Sequence, residues 1–120
     1  MTMQVTLQEI IDQLNLKVLT EPKGSFRRIR PTSGYASDLL SCVMAGAKHA
    51  GIWVTLQAHL NIVAVAALLE ISAVIITEGA TPEQAVIDRA NEQGVTLLSS
   101  ASPTYVVVGK LWEMGIRESE

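Results

Sequence analysis

Side chains able to hold a ligand crowd into one short stretch, Thr55-Leu56-Gln57-Ala58-His59-Leu60-Asn61. A strand-like run, Gly51-Ile52-Trp53-Val54, precedes it, and a nearly all-apolar helix-like run over residues 62–69 follows. Polar groups thus gather where a strand's carboxyl end feeds a helix amino terminus, the usual place for a site in an α/β protein. If the chain stays extended here, Thr55, Gln57, His59 and Asn61 alternate onto one face. Asn61 would then cap the following helix, whose amides favour an anion, and His59 would donate to a phosphate or carboxylate. The competing reading is that His59 and Gln57 satisfy buried backbone groups in a tight loop.

Two further groups extend this rim. Ser37 and Asp38 stand before a helical segment and read first as its cap, then as ligand contacts. Ser99 and Ser100, with Ser102 after them, follow the last strand, where serines in a turn also occur without a function. The candidate ligand-binding set is Ser37, Asp38, Thr55, Gln57, His59, Asn61, Ser99 and Ser100. No catalytic set assembles. Kinase chemistry needs G-x-x-x-x-G-K-[ST] to cradle phosphates and hold magnesium. The Gly109-Lys110 pair is followed by Leu111, and the glycine position of the motif is Thr104. With two histidines and no matching acidic cluster, no metal site or cofactor is expected.

Arg27, Arg28 and Arg30 read as a solvated edge rather than a phosphate grip. Cys42 is expected to pack on its helix, and His49 to lie exposed in a turn. Trp53, Tyr105 and Trp112 are expected as core or interface anchors.

Elements to position these groups are legible in the hydrophobic pattern. Thr6-Leu7-Gln8-Glu9 has the form of a capping box, and Leu7, Ile10, Ile11 and Leu14 recur at helical spacing, predicting a helix over 7–14. Residues 17–20 read as a short strand, 21–25 as a turn, 26–30 as an edge element, and Tyr35-Ala36 as a short strand. A helix then starts at Ser37-Asp38, with Leu39, Leu40, Val43, Met44 and Ala47 as its apolar face.

Strands are predicted over 52–56, 73–77 and 95–98. The helix over 62–69 is apolar all round and expected to be buried on several sides. Another helix starts at Thr81-Pro82-Glu83 and ends on Gly94 in the left-handed conformation. The last opens at Ser102-Pro103, runs through Trp112 and ends near Gly115, leaving 113–120 as a loose tail. Strand and helix alternate with short connections, which predicts right-handed crossovers and a mostly parallel sheet in a three-layer α/β/α domain.

Composition sets the outer bounds. The chain has 120 residues, which suggests one domain over 1–120 with its core about 5–116. It is 48% hydrophobic and only 18% charged, with a mean hydropathy of +0.30. That apolar excess points to a sheet buried on both faces, a subunit interface, or both. A net charge of −3 argues against a general nucleic-acid binder. The single cysteine allows no intrachain disulfide and fits a reducing cytoplasm. The first 15 residues lack a signal peptide's apolar core, and the most apolar stretch, 60–76, is broken by Asn61, Glu70 and Ser72, so no membrane span is expected.

Two segments carry a family resemblance. Ser37-Asp38-Leu39-Leu40-Ser41, with Tyr35 before it and Met44 after it, resembles the core signature of DRTGG-domain proteins. Thr55-x-Gln57-x-His59-x-Asn61-Ile62-Val63-Ala64-Val65-Ala66 resembles that family's second characteristic segment. The likeness runs over about residues 5–116. In the name-giving motif, Arg30-Pro31-Thr32-Ser33-Gly34, only Thr32 and Gly34 match. The resemblance implies a fold similar to the amino-terminal domain of bacterial HPr kinase/phosphorylase. It also implies the role that related domains take in some phosphotransacetylases and CBS-containing pyrophosphatases, that of regulatory or dimerising modules.

Three functions follow as expectations. The first is a small soluble regulatory domain, homodimeric, binding a nucleotide or small anion at the strand ends. The second is a protein-protein adaptor for a metabolic or redox complex, since some family members are encoded beside iron-only hydrogenase genes. The third is a phosphotransfer enzyme with His59 as acid/base.

Overall fold

A computed structural model describes residues 4–118. It opens with α1 (Leu7–Leu14), as the capping box predicts. Thr6 Oγ1 accepts from the Glu9 amide and Glu9 Oε1 accepts from the Thr6 amide, each at 3.1 Å. Leu7, Ile10, Ile11 and Leu14 are all buried, so the reciprocal cap and the apolar stripe fix the same helix.

The remaining elements are β1 (Lys17–Val18), β2 (Gly34–Ala36), α2 (Leu40–Gly46), β3 (Ile52–Thr55), α3 (Asn61–Leu69), β4 (Ala73–Ile76), α4 (Gln84–Gln93), β5 (Leu97–Ser99) and α5 (Thr104–Glu113). The sheet order is β1-β5-β4-β3-β2. β2 to β5 pair in parallel, and β1 runs antiparallel beside β5.

Period-two alternation along the strands divides the interior in two. Ile52, Val54, Ala73, Ile75 and Leu98 face α1 and α5. Trp53, Val74, Ile76 and Leu97 face α2, α3 and α4. The domain is therefore the expected three-layer α/β/α stack around a small, mostly parallel sheet. α2, α3 and α4 lie on one face, as successive crossovers of one hand in one direction along the sheet require.

Several expectations are corrected. The segment at 26–30 is no edge strand; it forms a 3-10 turn, Phe26–Arg28, with Phe26 buried against α1. Ser25 Oγ holds the Arg27 amide at its start. Helix α2 begins at Leu40 rather than at Ser37-Asp38, and of its expected apolar face only Val43 is buried within the helix. Leu39 and Met44 are exposed, as is Cys42, which therefore does not pack in the interior.

α3 is flanked by α2 and α4, and among the described residues nothing covers its outer side, where Leu68 is 68% exposed. Trp53 is a core anchor, but Tyr105 is 89% exposed. The tail expected to be loose from Glu113 is anchored as far as Arg117. Ile116 is buried, and the Arg117 carbonyl accepts from the Gly34 amide at 2.9 Å along the free edge of β2.

α3 ends on Glu70, whose φ of 53° is left-handed. A side chain with a Cβ is strained there, and glycine is not. Glu70 also pairs with His49 at 3.0 Å, but both side chains are largely exposed, so the pair adds little. Glu70→Gly is expected to raise stability by about 0.5 kcal/mol. A urea midpoint below wild type would show that the left-handed cap carries no strain.

Candidate functional site

Four parallel strands bring their carboxyl ends to one edge of the sheet, and the residues just beyond them build the site. Ser37 and Asp38 follow β2, and Thr55 closes β3. Asp38 Oδ1 accepts from the Thr55 hydroxyl at 2.7 Å and from the Leu56 amide at 2.8 Å. Gln57 Nε2 donates to the Asp38 carbonyl, and the Gln57 amide donates to Thr55 Oγ1 at 3.1 Å. Trp53 Nε1 donates to the Ser37 carbonyl at 2.9 Å.

These bonds clamp the end of β2 to the end of β3. They also explain why Ser37-Asp38 does not start α2. The Asp38 carboxylate is committed to the neighbouring strand, and Ser37 Oγ closes a local turn by accepting from the Leu39 amide. The helix N-cap falls to Leu39, which has no side-chain cap bond.

The chain turns after Thr55, so Thr55, Gln57, His59 and Asn61 do not share one extended face. Thr55 is fully buried, Gln57 half-buried, and His59 and Asn61 exposed. Asn61 does not cap α3 but is its first residue, and His59 Nδ1 accepts its amide at 3.2 Å. That bond requires an unprotonated Nδ1, so a neutral ring carries its proton on Nε2. No hydrogen bond joins His59 to Asp38 among the described residues.

At the other end of the rim, Ser99 closes β5 and Ser100 is buried. The Ser100 amide donates to the Ile76 carbonyl at 2.8 Å, and its hydroxyl accepts from the Ser102 amide at 3.1 Å. Ser100 thus ties β5 to β4.

Three residues that sequence reasoning missed belong here: Thr77, Glu78 and Thr104. Adjacent strands β4 and β5 send their helices to opposite faces, the arrangement that opens a crevice in doubly wound sheets. Here the crevice is closed from within. Glu78 donates its amide to the Ser102 carbonyl at 2.9 Å, and Gly79 donates to Ser100 at 3.1 Å. The N-cap of α5 is Pro103, which offers no side-chain cap, and Glu78 Oε2 accepts the Thr104 amide at 2.7 Å instead. The hydroxyls of Thr77 and Thr104 bond beneath it. A proline-opened helix, lacking a cap of its own, was the available signal that a group from elsewhere must supply one.

Open space lies to one side, between the amino ends of α3 and α4. A groove of about 480 Å³ is lined there by Ala58, His59, Leu60, Thr81, Glu83, Ala85 and Val86. Its walls are mostly apolar. Its polar groups are the His59 ring, the Thr81 hydroxyl and the Glu83 carboxylate, and no lysine or arginine lines it. Of the eight sequence candidates only His59 reaches this groove. Asp38, Thr55, Gln57 and Ser100 are engaged in holding strand ends together.

Among the described residues no helix is long and apolar enough to cross a membrane. No curated protein matches the chain. A crystal structure of the CBS and DRTGG domains of the regulatory region of Clostridium perfringens pyrophosphatase, complexed with the activator diadenosine tetraphosphate, is similar to it. The TM-score is 0.75 at 14% identity, covering 97% of this chain and 51% of that one. At that identity the likeness shows the fold, and this chain spans about half the length of its neighbour. The DRTGG domain matches residues 9–114, nearly the whole of the three-layer sheet and its helices, and the chain belongs to the DRTGG-domain family.

Proposed function

We propose that this chain is a regulatory, ligand-binding module of the cytoplasm that works as a homodimer and takes a nucleotide or another small anion at the carboxyl ends of its strands. The groove beside His59 carries this reading. It is an open concavity at that edge of the sheet, and it sits against the amino ends of α3 and α4, of which the α3 end, free of acidic side chains in its first turn, favours negative charge. About half of a regulatory region that was crystallised with a nucleotide activator shares this fold, which supports the same class of ligand.

The lining sorts the ligand's parts. Ala58, Leu60, Ala85 and Val86 suit a base or other flat apolar group, with Thr81 and His59 Nε2 as polar contacts. The Glu83 carboxylate keeps phosphates away from the α4 side and directs them toward His59 and the start of α3. Binding would bias the dimer to the extent that two interface states differ in affinity for the ligand.

A thermal-shift screen against nucleotides, phosphorylated metabolites and simple anions tests this, repeated with His59→Ala. A ligand at a hundredfold excess over its dissociation constant adds about 2.7 kcal/mol to the folded state. The expected result is a nucleotide shift of several degrees in wild type that His59→Ala removes. No shift with any compound would defeat the ligand reading.

A protein-protein adaptor in a metabolic or redox complex is a second reading, and one observation favours it. Leu60, Ala64 and Leu68 recur at helical spacing on the open side of α3 and are all exposed. Nothing comparable favours phosphotransfer, since Gly109-Lys110 lies inside α5 rather than in a phosphate-binding loop.

A further inference from the structure

α5 presents a second unpartnered surface with a feature the monomer does not explain. Tyr105, Val106, Gly109, Lys110, Trp112 and Glu113 are its exposed residues. Gly109 stands in the helix interior, where glycine is the least favourable residue after proline. A Cβ at Gly109 would meet nothing within 4 Å, and its φ is not left-handed. Neither packing nor backbone conformation within the chain calls for glycine there. Four residues before it stands Tyr105, the most exposed of the large apolar side chains at 89%.

We infer that this face is where a second copy of the chain docks, α5 against α5, antiparallel and crossing at Gly109. The inference rests on the homodimer reading above and gives it a surface. A missing side chain at the crossing point lets two helix backbones approach closely. In an antiparallel pair, residues equally far from Gly109 on opposite sides come level. By helical spacing Tyr105 and Trp112 share one side of the seam and Val106 and Glu113 the other, so Tyr105 lies beside Trp112 of the second copy and Val106 beside the stem of Glu113 of the second copy.

The two-fold keeps Tyr105 on the same side of the pair as Trp112, where each chain has an apolar groove. Gly34, Ala36, Val108, Trp112 and Ile116 help to line it, and its volume is about 120 Å³. Cavities of roughly 150 Å³ take up benzene-sized rings, so an aromatic ring from the second copy suits this space. Charge favours the same occupant. The chain carries −3 and its copies repel overall, but this face is balanced: α5 exposes Lys110 and Glu113, Arg117 lies over the Trp112 ring, and Arg117 and Glu118 also line the groove. A two-fold interface must be self-complementary, and this face offers the projection, the notch and the balanced charge on one helix.

The interface also connects to the groove beside His59. The segment between β4 and α4 supplies Glu78 to cap α5, and a few residues later Thr81 and Glu83 line that groove.

Light scattering of the purified chain over a range of micromolar concentrations, for wild type, Gly109→Leu, Tyr105→Ala and Leu68→Glu, tests the inference. Wild type and Leu68→Glu are expected at twice the 12.9 kDa chain mass, and the α5 variants at the chain mass. Gly109→Leu should keep a cooperative thermal transition, because within the chain its side chain enters open space, so its dissociation cannot be laid to misfolding. If Gly109→Leu and Tyr105→Ala stay dimeric while Leu68→Glu dissociates, the α5 surface is wrong and the dimer stands, formed through α3. A monomeric wild type would overturn both the surface and the homodimer reading.

Discussion

Trp53→Ala is expected to bring the domain to the edge of unfolding. Trp53 is fully buried between the sheet and the α2–α4 layer. Truncating a buried tryptophan to alanine costs about 3–5 kcal/mol through lost transfer energy and the cavity left behind. The indole also donates to the Ser37 carbonyl, and orphaning that acceptor adds to the loss. Domains of this size hold only about 5–15 kcal/mol in all, so the variant should show a large fall in urea midpoint. Trp53→Phe separates the two terms. It keeps most of the apolar ring but not the donor, and should cost about 1–3 kcal/mol. A Trp53→Ala variant within about 1 kcal/mol of wild type would mean that the site relaxes around the cavity and that the indole does not hold β2 to β3.

The same residue shows what sequence can and cannot give. Its position in the short apolar run 51–54 placed it on a strand, and the continuous apolar run 73–77 is what the centre of a parallel sheet asks of β4, because an apolar run reports burial directly. The capping box fixed α1 for a similar reason, since both bonding partners lie within four residues. What pattern could not reach were bonds between residues far apart in the chain. Asp38 has a capping residue's identity but spends its carboxylate on Thr55 and Leu56, 17 and 18 residues on. Glu78 caps a helix that begins 26 residues later. Neither pairing leaves a local trace.

The apolar run of α3 misled in the opposite direction. Composition reports that a surface wants cover, but not whether the cover comes from the same chain. Of the candidate residues, their place at the strand ends was legible and their bonding was not. The polar side chains nearest the strands serve as clamps. The groove uses groups one turn further out, at the starts of α3 and α4.

Asp38→Ala is the sharpest test of that division. The carboxylate is a charged acceptor for two donors, and bonds to charged groups contribute about 1.5–3 kcal/mol each. Leu56 is exposed and its amide can turn to water, so the loss should be about 2 kcal/mol rather than the sum of two such bonds. Thr55→Val removes the donor to Asp38 and the acceptor for the Gln57 amide while keeping the buried shape, and should cost about 1–2 kcal/mol. Because both changes break the same bond, the double variant should lose about 1 kcal/mol less than the two losses added together. That shortfall, read from urea midpoints of the four proteins, is the signature of a clamp between β2 and β3. A ligand contact would behave differently. Asp38→Ala would then leave the unfolding midpoint of the free protein where it is and abolish the nucleotide shift, and the rim at Asp38 would have to be counted with His59 as part of the binding surface rather than as its scaffold.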